Sequence, residues 1–442
     1  MNLSSRETGI EIVRRLQTAG FAAFWVGGCV RDFLLGRQPQ DYDIATNARP
    51  EQIEELFKKT IAVGRKFGVM IVVEGKQQFQ VATFRAESDY QDGRRPERVV
   101  FSNAEADAQR RDFTVNGLFY DPIAEKLHDW VGGERDLRAK IIRTIGAPEE
   151  RFAEDHLRLL RAVRFAAQLG FEIEPETFAA IKKLAPKIEL VSAERIRDEL
   201  IKLFAPPHAG RGLVLLRDSR LLPGVLPELI ATLLCQQSPD YHPEGTVFEH
   251  IRLMLEKLPP GASSSLSWAM ILHDIAKPAT AERDPATGAI HFYGHEKVGA
   301  AMAERILQRL RFPKKQIEEI VACVRQHMQF KDVQQMRKAT LRRLLMRETF
   351  PLELELHRLD CLGSHGNLEN YEFLVAQAEE LKKKPAIRPP LLTGRDLIKL
   401  GMKPGPAMGA LLNEIREKQL ADELKTSRQA RAWAKKQLPT HG

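Results

Sequence analysis

Residues 24–44 read FWVGGCVRDFLLGRQPQDYDI, and their order decides the fold. Phe24-Trp25-Val26 is a short apolar run of strand character, Gly27 and Gly28 make a turn, and the residues up to Gly36 have helical composition. Strand, glycine turn and helix in that order open an α/β unit. Consecutive glycines let the backbone approach a phosphate closely, the helix start offers unpaired N–H groups, and Arg31 adds a planar cation. Asp41-Tyr42-Asp43-Ile44 follows in a stretch of strand character, which would project Asp41 and Asp43 from one face with Cα atoms about 6 to 7 Å apart. Two carboxylates so placed repel each other unless a cation lies between them. Magnesium suits, being a hard ion that takes carboxylate and phosphate oxygens, and paired ions stabilise an in-line phosphoryl displacement. Either feature alone is more often a tight turn or a solvated loop; it is the succession that points to phosphate chemistry.

Outward from this stretch, residues 21–144 alternate short β-rich runs (AAFWV, VMIVVEG, FQVATF, RVVF) with helical segments and glycine turns. From residue 148 the pattern changes. RFAEDHLRLLRAVRFAAQLGF, PETFAAIKKLA and AERIRDELIKLF carry apolar residues at helical spacing, and this character persists almost to Lys436. The expected fold class is α+β, an α/β head followed by a helical body. Proline, glycine and serine clusters place breaks at residues 205–207, 238–245, 258–265 and 384–390. We therefore divide the chain into a head (1–145), a helical neck (146–238), a helical domain (239–384) and a helical tail (385–442).

With 43% apolar residues among 442, the chain can bury substantial cores. No run of about 18 uncharged apolar residues occurs, and MNLSSRETGIEIVRRLQTAG reads as an amphipathic helix rather than a signal peptide, so the cytoplasm is the expected compartment and no membrane partner is expected. Cys29, Cys235, Cys323 and Cys361 are far apart, which argues against a disulfide framework or a thiolate zinc site. The formal charge of +8 favours a polyanionic partner, because neutralising phosphates releases counterions.

Two further segments carry chemistry. Arg110-Arg111-Asp112 sets two guanidiniums beside a carboxylate, able to hold a triphosphate and to bond a ribose hydroxyl. At 100° per residue, segment 154–167 read as one helix gathers Leu159, Leu160, Val163, Ala166 and Ala167 on one arc. Glu154, Arg158, Arg161 and Arg164 fall on the opposite arc, with Asp155 at its border within i,i+3 reach of Arg158. Arginine bias on one face supports a ligand. A carboxylate accepts from an exocyclic amine while a guanidinium donates to ring acceptors, so an Asp/Arg pair reads cytosine or adenine better than uracil or guanine.

VGGCVRDFLLG, DYDIAT, VGRKFGV, VATFR, DGRRP, RRDFTVNGLFYDP and ERFAEDHLRLLRAVRFAAQLGF, in this order over residues 21–204, resemble the nucleotidyltransferase superfamily. The similarity is to the class II group, which holds bacterial CCA-adding tRNA nucleotidyltransferases and bacterial poly(A) polymerases. The resemblance implies a head with a small mixed sheet that extends the 3′ end of tRNA from CTP and ATP. It also implies that Asp41 and Asp43 bind catalytic magnesium and that Gly28, Arg31, Arg111 and Asp112 contact the nucleotide. Asp155 and Arg158 would be the protein template of an E-D-x-x-R motif, and Arg161 and Arg164 would hold phosphates or stabilise the helix face. One departure stands out: Gln80 occupies the position before V-x-T-F-R where the family commonly has a glutamate, so metal affinity or activation of the primer hydroxyl would be weaker. A partial enzyme adding only CC or only A, and a poly(A) polymerase, are the alternatives within the class. Phe67-Gly68-Val69 after VGRK looks more like the tRNA enzymes.

In the C-terminal half, His250, His273-Asp274, His295, His327 and Asp360 occur in an order that resembles HD-domain metal phosphohydrolases. Imidazoles and carboxylates from separate helices can bind divalent metal and activate water. By that resemblance, His250, His273, Asp274 and Asp360 would be the core ligands of a second metal site, with His295 and His327 available to a further ion. The domain would then act as a phosphatase or cyclic phosphodiesterase on RNA ends, or serve as a retained scaffold for tRNA. Two readings of a different class remain: the HD site is the enzyme and the head only binds RNA, or the whole chain is a non-catalytic RNA chaperone. After Pro389-Pro390, the glycines, prolines and basic residues Lys425, Arg428, Arg431, Lys435 and Lys436 resemble the RNA-binding tail of such enzymes.

Overall fold

A computed structural model describes residues 4–86, 100–239, 242–383 and 389–438; the DGRRP motif (92–96) lies outside the described residues. The chain divides into two compact units, Met1–Ile230 and Ala231–Gly442.

The first unit opens with helix Ser5–Thr18, started by a reciprocal capping box between Ser4 and Glu7 and buried along Ile12, Val13 and Leu16. The strands of its sheet lie in the order Thr60–Gly64, Val69–Glu74, Gln77–Thr83, Ile44–Thr46, Ala23–Val26, Phe119–Asp121, Lys126–His128. Ile44–Thr46 runs parallel to Gln77–Thr83 and antiparallel to Ala23–Val26, so the sheet is mixed, as expected. Trp25, Val26, Phe84 and Phe119 are buried in and around it.

The structure corrects one local expectation. Asp41, Tyr42 and Asp43 precede the strand rather than lie in it, because the neighbouring strand pairs only from Ile44, opposite Val81. Aspartate is also a poor strand former. The backbone is nevertheless tied down: the Asp43 carbonyl accepts from the Val26 N–H at 3.0 Å. Tyr42 is buried with its ring centroid 4.6 Å from that of Trp25, while Asp41 is exposed and Asp43 half-buried, so the expected alternation survives without the strand.

A second correction concerns segment 154–167. Helix Pro148–Glu154 ends, Asp155 is extended (φ −153°, ψ 103°), and a new helix runs Leu157–Leu169. Asp155 Oδ1 accepts from the Leu157 N–H at 3.1 Å. A short acidic side chain that can satisfy an orphan helix N–H favours a cap over a helix interior. The apolar arc is as expected, with Leu159, Leu160, Val163, Ala166 and Ala167 all buried.

The second unit is helical. Helices Val247–Glu256, Ser264–Leu272, His295–Arg309, Lys314–Gln326 and Phe350–Gly363 surround a cluster of histidines and aspartates. The tail helices Gly394–Lys399, Pro406–Leu420 and Ser427–Gln437 share a core that includes Leu397, Leu411, Ile415 and Ala430. Among the described residues no helix is long and apolar enough to cross a membrane. The four cysteines are unpaired; Cys29, Cys323 and Cys361 are buried and Cys235 half-buried.

Candidate active site and metal cluster

A cleft of about 430 Å³ in the first unit is lined by Gly27, Gly28, Arg31, Asp43, Gln80, Arg110, Arg111, Asp112, Asn116, Asp155, Arg158, Arg161 and Phe165. Gly27 starts the short helix Gly28–Leu34 with φ +72° and ψ −129°, a conformation open to glycine alone in practice. A Cβ there would also stand 3.0 Å from Arg111 Nη1. The glycine turn therefore lets an arginine close over the backbone.

Behind the cleft a continuous polar chain fixes the cations. Arg31 Nη1 donates to Asn116 Oδ1 at 2.7 Å, Asn116 Nδ2 donates to Asp112 Oδ1 at 3.1 Å, and Arg161 Nε donates to Asp112 Oδ2 at 2.8 Å. Burial pushes the Asp112 carboxyl up, but the Arg161 charge and the bonds from Asn116 and Arg161 outweigh it and hold the group below its ordinary value. Asp112 is thus an anchor for arginines, which leaves it less available to a ribose hydroxyl than its sequence position implied. Arg110 and Arg111 share Asp107, at 2.6 and 3.1 Å. Sequence reasoning missed Asp107, although its spacing of three and four residues before the arginines on one helical turn was a usable signal.

Asp43 has the opposite character. Burial pushes its carboxyl above the ordinary value, the Arg111 charge opposes this, and the charge of Asp41 adds to the rise. A half-buried acid short of positive charge, with a second acid two residues away, fits a divalent cation with a preference for oxygen. Gln80 stands beside Asp43 on the neighbouring strand, as the register Ile44↔Val81 dictates. It also lines the cleft, where its amide supplies an acceptor but no charge.

The base-reading candidates Asp155 and Arg158 both line the cleft, but they are not paired with each other. Asp155 Oδ2 is bonded by Arg195 Nη2 at 2.6 Å, and Arg158 is paired with Glu154 and donates to the Arg151 carbonyl at 2.9 Å. Arg164 does not line the cleft. It is buried, with Nε 2.5 Å from Glu199 Oε2 and its guanidinium 4.0 Å from the Phe165 ring centroid, so of the two roles expected for it the structure supports bracing the helix.

In the second unit all six residues of the expected set converge, and Asp274 is their hub. Its Oδ2 lies 3.1 Å from His273 Nε2 and 2.7 Å from Lys277 Nζ, and its Oδ1 lies 3.3 Å from His295 Nε2 and 3.7 Å from His327 Nε2. His250 Nε2 is 3.0 Å from Asp360 Oδ1. His273 follows helix Ser264–Leu272 as its cap, which frees its ring and the Asp274 carboxylate from the helix surface. Burial opposes charge on His250, but Asp360 and Glu244 outweigh it and raise the imidazole to about 9. Burial and the neighbouring imidazoles lower His327 to about 4. Among the described residues the buried Nε2 atoms of His250 and His273 have no hydrogen-bond partner of acceptable geometry, and the Nε2 atoms of His295 and His327 face each other at 3.1 Å. Lone pairs converging on carboxylates in a buried cluster fit one or two divalent ions.

The first cleft sets a half-buried acid beside a layer of arginines, an arrangement suited to a triphosphate and a divalent cation, and the chain's relatives are nucleotidyltransferases. Residues 23–143 match the poly A polymerase head domain, 170–233 the probable RNA and SrmB-binding site of polymerase A, and 241–362 the HD domain. A CCA-adding enzyme of Lactobacillus helveticus is 34% identical over 94% of this chain and 93% of its own length. An A-adding tRNA nucleotidyltransferase of Deinococcus radiodurans is 33% identical over 93% and 94%. The crystal structure of the Bacillus stearothermophilus CCA-adding enzyme in complex with CTP superposes with a TM-score of 0.75 at 28% identity, covering 99% of this chain and 98% of that one. The chain belongs to the family of tRNA nucleotidyltransferases that includes the CCA-adding enzymes.

Proposed function

We propose that this protein rebuilds the 3′ end of tRNA in the cytoplasm, adding C and A from CTP and ATP without a nucleic-acid template. The primer 3′-hydroxyl attacks the α-phosphate in line and pyrophosphate leaves. Asp41 and Asp43 would hold magnesium, which when bound supplies charge neutralisation to the triphosphate. Arg31 and Arg111 take the phosphates, with Gly28 allowing close approach. Asp112 and Arg161 keep the arginine layer in place, and Asp155 and Arg158 read the base edge after exchanging Arg195 and Glu154 for the nucleotide. Positioning in a cleft that already holds its cations in place contributes most of the rate. The observation that carries this reading is the gathering of Arg31, Asp43, Arg111, Asp155 and Arg158, from three stretches of the chain, around one cleft.

Full-length similarity to both a CCA-adding and an A-adding enzyme sets the experiment. The purified protein is incubated with tRNA lacking its last three nucleotides, with CTP, with ATP and with both. Two cytidines from CTP alone, and arrest after one further adenosine with both, are expected. Failure to incorporate C, or a long A tract, overturns CCA addition in favour of an A-adding enzyme or a poly(A) polymerase.

The convergent second cluster supports a further activity, divalent-metal hydrolysis of phosphate esters at RNA ends, with His250, His273, Asp274 and Asp360 as core ligands and His295 and His327 toward a second ion.

A further inference from the structure

The four cluster histidines are oriented from behind in two different ways. His273 Nδ1 lies 2.8 Å from the Met270 carbonyl, His295 Nδ1 2.6 Å from the Phe292 carbonyl, and His327 Nδ1 2.7 Å from the Val324 carbonyl. A carbonyl only accepts, so Nδ1 carries the proton and Nε2 keeps its lone pair for the cluster. His250 is the exception. Its Nδ1 lies 2.6 Å from Glu244 Oε1, and the same oxygen takes His242 Nδ1 at 2.9 Å. The Glu244 side chain is 5% exposed, and among the described residues its Oε2 has no hydrogen-bond partner. A buried carboxylate with one oxygen left over is costly unless positive charge lies nearby. A cation held just beyond the imidazole would offset that cost, whereas a neutral carbonyl in the same place would need no such compensation.

We infer that Glu244 is a positioning residue that strengthens His250 as a metal ligand and so makes the half of the cluster formed by His250, His273 and Asp360 bind its ion more tightly than the His295/His327 half. Glu244 fixes the tautomer and the ring plane as the carbonyls do, and in addition lends negative charge to the ring, which raises the basicity of Nε2. The inference rests on the second cluster being a metal site.

Its test is metal affinity in the full chain. Asp41→Asn/Asp43→Asn silences the first unit, and the metal-stripped protein is titrated with Mn²⁺ by calorimetry, alone and with Glu244→Gln or Glu244→Ala added. The parent is expected to bind two ions in the second unit with unequal affinity. Glu244→Ala should weaken the tighter site by about 10–100-fold, the usual effect of removing such a partner. Glu244→Gln, which keeps an acceptor and loses the charge, should fall between. The weaker site should persist, and its persistence shows that the unit is folded. Unchanged affinity at both sites in both variants, or equal weakening of the two, overturns the role of Glu244. A parent that binds no Mn²⁺ overturns the metal reading itself, and the inference with it.

Discussion

Asp43 shows how a single side chain can be unfavourable for the fold at the place where the proposed chemistry needs it. Its carboxyl is raised by burial and by Asp41, so the folded chain prefers the protonated form. A raised acid contributes stability below its ordinary pKa of 3.8 and loses it as pH rises through the raised value, which leaves the ionised group a cost at neutral pH. Asp43→Asn should therefore raise the melting temperature of the metal-free protein at pH 7 while abolishing nucleotide addition, and the gain should vanish at a pH where Asp43 is protonated anyway. Magnesium should stabilise the parent and not the variant. Gln80 gives a complementary prediction. A carboxylate placed beside Asp43 attracts a cation about 4 Å away by about 4 kcal/mol per unit charge at an effective dielectric near 20, and solvent screening at the exposed Gln80 position cuts this to roughly 1 to 2 kcal/mol. Gln80→Glu should accordingly lower the magnesium concentration for half-maximal rate by about tenfold, read from a metal titration of CTP incorporation. The sequence displayed Asp41, Asp43 and Gln80 because local order and spacing carry their meaning. It did not show Asn116 or Arg195 in their roles, since partners 85 and 40 residues away, Arg31 for Asn116 and Asp155 for Arg195, leave no periodic trace.

At the scale of elements, the segment between residues 148 and 169 is where pattern and structure part. Apolar periodicity correctly located the buried face, because burial obeys the helical repeat. The break at Asp155 was invisible to that repeat: a capping side chain acts on one turn and leaves the flanking spacing intact. The break also lets Asp155 face Arg195 while Arg158 faces Glu154, so the two residues proposed to read the base are separately braced. Helix Leu157–Leu169 is tied to the segment before the Asn116 turn by Arg161 and Asp112. Removing one member of a buried pair strands the other, and with the Arg161 side chain 32% exposed the cost belongs below the usual range, at about 2 kcal/mol. Asp112→Asn should show that loss in urea denaturation at pH 7. Because the Asp112 carboxyl is held below its ordinary value of 3.8, the difference from the parent should be present above that pH and shrink as pH falls through the depressed value.

For the molecule as a whole, two compact units each carry a site of their own, one of acids and arginines, one of imidazoles and acids. Separate substitution distinguishes their tasks. Asp41→Ala with Asp43→Ala should reduce nucleotide addition on the order of a thousandfold, since bound metal supplies several kcal/mol of charge stabilisation and each 1.4 kcal/mol is tenfold. The same pair should spare hydrolysis of a phosphate ester, while His273→Ala with Asp274→Ala should do the reverse. Loss of both activities with either pair would show that the sites are not independent. The α+β division and the helical body were legible because composition changes sharply near residue 148, and the HD cluster because its six residues occur in a characteristic order. How those residues face one another, and which atom of each ring is turned inward, is set by carbonyls and by Glu244, which sequence spacing does not reveal. The most direct test of the account is a crystal of this protein soaked with magnesium and a non-hydrolysable CTP analogue. Density for an ion held by Asp41 and Asp43, with the triphosphate along Gly28 and Arg31 and the cytosine edge at Asp155 and Arg158, is the predicted result. A nucleotide bound elsewhere, or the two acids turned away from any ion, would contradict it.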